Sequence, residues 1–194
     1  WRQPVGQRPG AVVPLDRNTY AALGAAQQAA LDQAAAPNSG QDLLDWSRGQ
    51  PVAGYRARTR VMGDVINASL VLARAGEALG DRQYAGYGAY LSDKQQGMTT
   101  SLVTGANDGF IHVLDAASGV QRLAFMPAAV QAAAGARAHI DFVRKGHQSG
   151  VDGAITLGDA VLGNTWTTLA LTGFGAGGKG LAAVRLYDQS LGNG

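Results

Sequence analysis

Between Ser101 and Met126 three short apolar runs are separated by two compact turn signals. Leu102 and Val103 precede Asn107, Asp108 and Gly109, residue types that tolerate positive φ, and Phe110, Ile111, Val113 and Leu114 follow. Asp115, Ser118 and Gly119 then offer a second turn before residues 121–126 resume apolar character. Strand-length runs joined by such turns predict a β-hairpin extended into an antiparallel three-stranded meander. The chain is therefore expected to be mainly β.

Composition agrees with this. The 194 residues include 28 glycines but only six prolines, so the glycine excess reads as tight turns rather than as low-complexity linker. With 46% hydrophobic and 15% charged residues the chain can bury a sizeable core, as one domain or as part of a larger one. A net charge of +2 gives no broad electrostatic footprint for nucleic acid, which disfavours a charge-driven DNA binder. The absence of cysteine removes disulfide frameworks, thiolate zinc sites and thiol nucleophiles together, without placing the compartment. No apolar run approaches the length of a membrane span, and Trp1, Arg2, Gln3 and Pro4 show neither an initiator Met nor a signal-peptide core. The chain is thus expected to be a processed or excised piece.

Before the meander the texture is different. Residues 1–17, with three prolines and three arginines, suit an extended lead-in. Asn18 or Thr19 can cap a helix over residues 20–36, rich in Ala, Gln and Leu and stopped by Pro37 and Asn38. Ser39 with Asp42 resembles a capping box for a second, shorter helix carrying Leu43, Leu44 and Trp46, with Gly49 just beyond its end. Residues 61–73, rich in Val, Ile and Leu, predict a strand, which divides the chain into a lead-in over 1–60 and a β domain over 61–194. Tyr84, Tyr87 and Tyr90, three apart, predict a packed aromatic stripe on a helical turn. After the meander, Pro127 and Gly135 bracket one short helix. Residues 166–172 and 181–187 read as strands around the glycine-laden loop 173–180. Laying Val103, Thr104 and Gly105 over Leu171, Thr172 and Gly173 gives a recurrence of 68 positions, longer than the roughly 40 to 50 residues of a propeller blade.

Residues 105–116 spell GANDGFIHVLDA, which closely resembles the word GANDGMLHAFDA of the PilC/PilY family of type IV pilus assembly and tip-adhesin proteins. Upstream, LLDWSRG and YRARTRVMGDVINAS are similar to that family's approach to its propeller; downstream, Val151, Asp152 and Gly153, then Asp159, Trp166, Thr167, Thr168 and GFGAGGKG follow its order of words. The resemblance covers about residues 19–188. It implies antiparallel meanders of a partial β-propeller, about two blade-equivalents, behind a short helical lead-in. It further implies a non-enzymatic role in type IV pilus biogenesis, twitching motility and pilus-tip adhesion. The protein would be exported to the periplasm, outer membrane or cell surface. Expected partners are other pilus subunits, the remainder of its own propeller and a host or surface receptor. The family's alternating-aspartate calcium loop and its DxSxS word are not found in this sequence, so no cofactor or metal ligand is expected here. Leu70 stands where the family commonly has Pro and Arg185 where it has Asp, and the second departure is expected to remove a turn contact.

Read for chemistry, the residues yield no catalytic constellation. Asp115 is expected to accept turn N–H groups from Ser118 and Gly119, with direct ligand contact as the alternative. Residues 173–180 satisfy GxGxxG and nearly GxxxxGK[ST], yet Gly180 replaces the magnesium-binding hydroxyl, so a structural loop is favoured over a nucleotide cradle reaching through Lys179. His112, His139 and His147 form no HExxH and no triad. His112 is expected to satisfy a backbone or turn group, and His147 with Asp152 and Asp159 could form a polar loop cluster or bind a metal. Arg48, Arg56, Arg58 and Arg60 are expected to form a solvated surface, with an anionic partner as the alternative. Two other readings stay open: an exported carbohydrate- or protein-binding propeller unrelated to pili, and a quinone-dependent dehydrogenase propeller. The second rests on Asp115, Ser118 and Gly119 but has Leu123 and Phe125 where a docking tryptophan is expected. Two blades alone would leave sheet edges unpaired, so aggregation or dimerisation is expected of the isolated chain.

Overall fold

The computed structural model describes residues 5–8 and 11–194. Two antiparallel-rich sheets carry the β structure. In the first, β1 (Val5–Arg8) and β2 (Ala11–Pro14) join β3 (Leu70–Ala73), β4 (Ser101–Gly105), β5 (Ile111–Asp115) and β6 (Gln121–Met126) in the order β2-β1-β6-β5-β4-β3. The expected meander is its centre: Thr104 pairs with His112, Val103 with Val113, and Ile111 with Phe125, with a register shift between Val113 and Leu114. In the second sheet, β7 (Ile155–Leu162), β8 (Thr165–Gly173), β9 (Leu181–Asp188) and β10 (Gly192–Asn193) follow one another as an antiparallel meander in the order β10-β9-β8-β7.

The two sheets share a local plan. β4 ends at Gly105 and β8 at Gly173, and in both the preceding threonine hydroxyl, Thr104 or Thr172, donates to the glycine carbonyl at 3.1 and 2.9 Å. β5 and β9 each end on an aspartate whose carboxylate accepts from the turn beyond it. The recurrence read from Gly105 to Gly173 is thus a recurrence of structure.

Six α-helices lie among the described residues: α1 (Ala25–Ala35), α2 (Gly40–Ser47), α3 (Tyr87–Gly97), α4 (Ala128–Gln131), α5 (Ala134–Ala138) and α6 (Phe142–Lys145). The capping box on α2 forms as expected, Asp42 N donating to Ser39 Oγ at 3.2 Å and Ser39 N to Asp42 Oδ2 at 3.1 Å. None of the helices is long and apolar enough to cross a membrane.

Several expectations are corrected. Residues 20–36 are not one helix: a 3-10 turn at Tyr20–Ala22 gives way to extended Leu23 before α1, and the Gln28 amide donates to the Leu23 carbonyl at 2.7 Å across the break. Residues 61–69 are not strand, because their polar groups bond to distant loops instead of to a neighbouring strand. Gly135 does not end a helix but lies inside α5, where a Cβ would stand 1.8 Å from the Ala34 carbonyl oxygen, so glycine lets α5 pack against α1. Of the extended lead-in, residues 1–4 and 9–10 lie outside the described residues, while β1 runs parallel to β6 and widens the first sheet.

A single core cluster runs from Leu31, Leu43 and Val130 of the helices through Val103, Ile111 and Met126 of the first sheet to Ala170, Val184 and Leu186 of the second. The aromatic stripe seats α3 on the second sheet. Tyr87 and Tyr90 are fully buried, and the Tyr90 ring stacks on Trp166 with centroids 5.6 Å apart. Tyr84, before the helix begins, is 66% exposed and only meets the Trp166 ring edge-on.

Candidate functional site

Four separate words of the sequence meet where the two sheets join. The GANDG turn projects from the end of β4, and its Asn107 backbone N–H donates to the Asp64 carbonyl at 2.9 Å. Asn107 Oδ1 accepts from Gly150 N at 2.9 Å, and Val151 N donates to the Ala106 carbonyl at 3.0 Å, so residues 150–153 are pinned along the turn. Asp152, 3% exposed, then accepts from Asn67 N at 3.0 Å and Asn67 Nδ2 at 2.7 Å, while its own N–H donates to Phe174 O at 3.2 Å in the glycine loop. Ile155 N donates to Ser69 Oγ at 2.8 Å. Buried amides and carboxylates are thereby paired across segments up to 86 residues apart, as burial of polar groups requires.

Asp108 forms the polar centre of this turn. Its carboxylate accepts from Gly63 N at 2.8 Å, Phe110 N at 3.0 Å and His112 Nε2 at 3.1 Å, and His112 Nδ1 lies 2.9 Å from Gln121 Oε1. Burial penalises both charged forms. The hydrogen bond and the charge attraction within the pair outweigh it, holding the Asp108 carboxyl below and the His112 imidazole above their ordinary values. Both ring nitrogens are engaged and the pair lies under the surface, so it serves as a bolt for the turn rather than as a proton shuttle.

The glycine loop 173–180 lies between antiparallel strands and contains one 3-10 turn, Gly175–Gly177, not the first turn of a long helix. A Cβ at Gly177 would stand 1.6 Å from the Gly150 carbonyl oxygen. The glycines therefore let backbone pack on backbone, and Lys179 points out exposed. Asp115 closes its turn by accepting at its carboxylate from Ala117 N at 3.0 Å, Ser118 N at 2.8 Å and Ser118 Oγ at 2.9 Å, a local ring near the surface; the Gly119 N–H goes instead to the Asp115 backbone carbonyl at 2.8 Å.

The expected cluster of His147, Asp152 and Asp159 does not form. His147 Nε2 lies 2.8 Å from Asp64 Oδ2, Asp152 faces Asn67, and Asp159 is buried in β7 against Lys94. Lys94 Nζ donates to both Asp159 oxygens at 3.0 and 3.1 Å and to the Glu77 carbonyl at 2.8 Å. Tyr87 Oη and Thr168 Oγ1 also donate to Asp159, at 2.7 and 2.5 Å. Among the described residues no group of three or more His, Asp or Glu side chains is placed to hold a metal ion.

The arginine expectation is corrected for Arg56 and Arg58, while Arg60 is exposed as expected. Arg56 and Arg58 are half-buried and their guanidinium groups lie over the Trp46 ring, 5.3 and 3.8 Å from its centroid; Arg56 also lies 4.3 Å from the Phe142 centroid. With Arg60 and Arg137 they line a cavity of about 360 Å³ beside the GANDG turn. Arg48 is not part of it.

No family model matches the chain. Type IV pilus biogenesis factor PilY1 of one Pseudomonas aeruginosa strain is 31% identical over 160 residues, 77% of this chain and 13% of that protein. PilY1 of a second strain is 30% identical over 195 residues, covering 91% of this chain and 16% of the relative. The chain belongs to the PilY family. A PilY1 homolog of Xylella fastidiosa is 27% identical over 90% of this chain and 13% of its own. The crystal structure of the P. aeruginosa PilY1 C-terminal domain is 26% identical, covers 59% of this chain and 24% of that one, and superposes with a TM-score of 0.39. This PilY-family segment thus spans less than a fifth of the length of the curated relatives it matches.

At the two departures from the PilY pattern, Leu70 opens edge strand β3 opposite Thr104, and Arg185 pairs with Asp188 at 3.3 Å. Asp188 itself accepts from Ser190 N at 2.9 Å and Leu191 N at 3.0 Å, so the turn after β9 keeps its closure without an aspartate at 185. Sequence reasoning missed Asp108, Lys94 and Arg137. An acidic residue four before a histidine was a local signal for the first pair; Lys94 and Arg137 meet their surroundings only through the tertiary fold.

Proposed function

We propose that this chain is a non-enzymatic scaffold segment of a type IV pilus biogenesis factor. The observation that carries this reading is the match to proteins named PilY1 at about 30% identity over most of the chain. The placement of the shared words supports it. They are spent on cross-segment hydrogen bonds and backbone packing, with histidines and carboxylates occupied by structural partners. In this reading the two similarly built sheets are two blades of a β-propeller completed by the rest of the protein. The protein is exported and works at the cell surface or pilus tip with other pilus subunits, and its loops are displayed for adhesion, since loops on a rigid scaffold carry recognition.

The test is genetic. The gene is deleted in a piliated bacterium and complemented with the intact gene or with one lacking residues 101–126. Loss of surface pili and twitching, restored only by the intact gene, is the expected result. Normal piliation and motility after deletion would overturn the reading and favour a free-standing binding propeller.

A further inference from the structure

We propose that the cavity bounded by Arg56, Arg58, Arg60 and Arg137 is a binding site for a carboxylate. This goes beyond the pilus reading and does not depend on it.

The site is built before any ligand arrives. Contact with the Trp46 and Phe142 rings restrains the guanidinium groups of Arg56 and Arg58, and a restrained planar guanidinium presents N–H donors that match a carboxylate. Backbone carbonyls fix the same side chains from behind. Arg56 Nε donates to Arg137 O at 2.6 Å, Arg58 Nη1 donates to Val61 O at 3.1 Å, and Arg58 Nη2 donates to the Trp46 carbonyl. Trp46 is anchored in turn, its indole N–H donating to Arg56 O at 2.9 Å.

Donors are left over. Arg137 is 2% exposed, gives one N–H to Val130 O at 2.9 Å, and has no hydrogen-bond partner for Nη1. An unpaired guanidinium nitrogen in a protein interior is costly unless something else satisfies it. Among the described residues the terminal nitrogens of Arg56 and the whole of exposed Arg60 have no hydrogen bond or ion pair either.

Two aspartates share the lining with the four arginines; their hydrogen bonds go elsewhere, although Asp64 attracts Arg56 and Asp108 attracts Arg58 and Arg137. Asp108 faces His112 and backbone amides, and Asp64 faces His147. The wall therefore carries an excess of positive charge. Burial, then repulsion by Arg56, lowers the Arg58 pKa to about 10 against the attraction of Asp108, and burial lowers the Arg137 pKa to about 10 against the same attraction, so an arriving anion would favour the charged guanidinium groups. The excess is modest, and a singly charged carboxylate takes it up through two coplanar oxygens that match a guanidinium edge. A space of about 360 Å³ suits a small acid or one Asp or Glu side chain inserted from a peptide.

The purified full chain is titrated with sodium acetate, with acetylated and amidated Gly-Glu-Gly, with the Gly-Gln-Gly counterpart and with inorganic phosphate. Heat of binding and the Trp46 indole N–H resonance are followed together. The expected result is saturable binding of a carboxylate probe that moves the Trp46 signal, with Gly-Gln-Gly inert and phosphate weaker. Acetate binding alone identifies a free acid, and binding of the glutamate peptide a peptide-borne one; either supports the site. Arg56→Gln and Arg60→Gln should each weaken binding at least about tenfold. Arg60 is exposed and free of packing duties, so Arg60→Gln remains informative if Arg56→Gln unfolds by circular dichroism. No saturation by either carboxylate up to about 10 mM, tighter binding of phosphate, or unchanged affinity in Arg60→Gln would overturn the proposal.

Discussion

The Asp152 carboxylate holds Asn67 twice, by its backbone N–H at 3.0 Å and by its side-chain amide at 2.7 Å. These residues are 85 positions apart, and the contact ties the loop before β3 to the segment that leads into the second sheet. Asp152→Ala leaves two donors of exposed Asn67 without the buried charged acceptor they now share. The expected loss is about 2–3 kcal/mol in urea unfolding, with Asp152→Asn recovering part of it.

Lys94 and Asp159 form an ion pair in which neither side chain reaches solvent. Removing one charge strands the other. Lys94→Met and Asp159→Asn are each expected to cost about 3–5 kcal/mol, and the double variant less than the sum of the two. Chemical denaturation of the four proteins in a double-mutant cycle measures the coupling.

His112 and Asp108 set opposite pH limits. The folded imidazole titrates above its ordinary 6.5, so its contribution is complete below that pH and is lost as pH rises through the folded value. The folded carboxyl of Asp108 titrates below its ordinary 3.8, so its contribution is present above that pH and is lost as pH falls through the folded value. His112→Gln is expected to lower Tm at pH 6 and to flatten the fall in Tm as pH rises above 6.5. Thermal melts across that range check both.

Two glycines of the second sheet should respond oppositely to alanine. At Gly177 the added methyl would meet the Gly150 carbonyl oxygen at 1.6 Å, and a loss of about 3 kcal/mol or more is expected. At Gly158, in β7, nothing lies within 4 Å of the new atom, and stability should be unchanged or raised by up to about 1 kcal/mol. Melting temperatures of the two variants decide this.

What the sequence made legible follows from how local each cause is. The meander over 101–126 was readable because turn residues and short apolar runs lie within a few positions of one another, and the α2 capping box because Ser39 and Asp42 satisfy each other. β7 escaped notice because Gly158 and Asp159 break its apolar texture, and the cost of a carboxylate in that strand is offset by Lys94, 65 residues away. Residues 61–69 looked like strand because side-chain type alone cannot show that their polar groups bond to Asp108 and Asp152. The arginine cavity was invisible for the same reason: alternate arginines read as a wet surface until Trp46, Phe142 and Arg137 are brought around them.

Hydrogen exchange at the amides of Asn107, Gly150, Val151 and Asp152, followed by NMR, tests the central claim that the glycine-bearing words fasten the two sheets into one scaffold. The account predicts that all four are protected, with opening free energies equal to that of global unfolding measured by denaturant. Fast exchange at Gly150 and Val151 while β5 and β8 remain protected would contradict it, because the sheets would then be independent units joined by a loose loop.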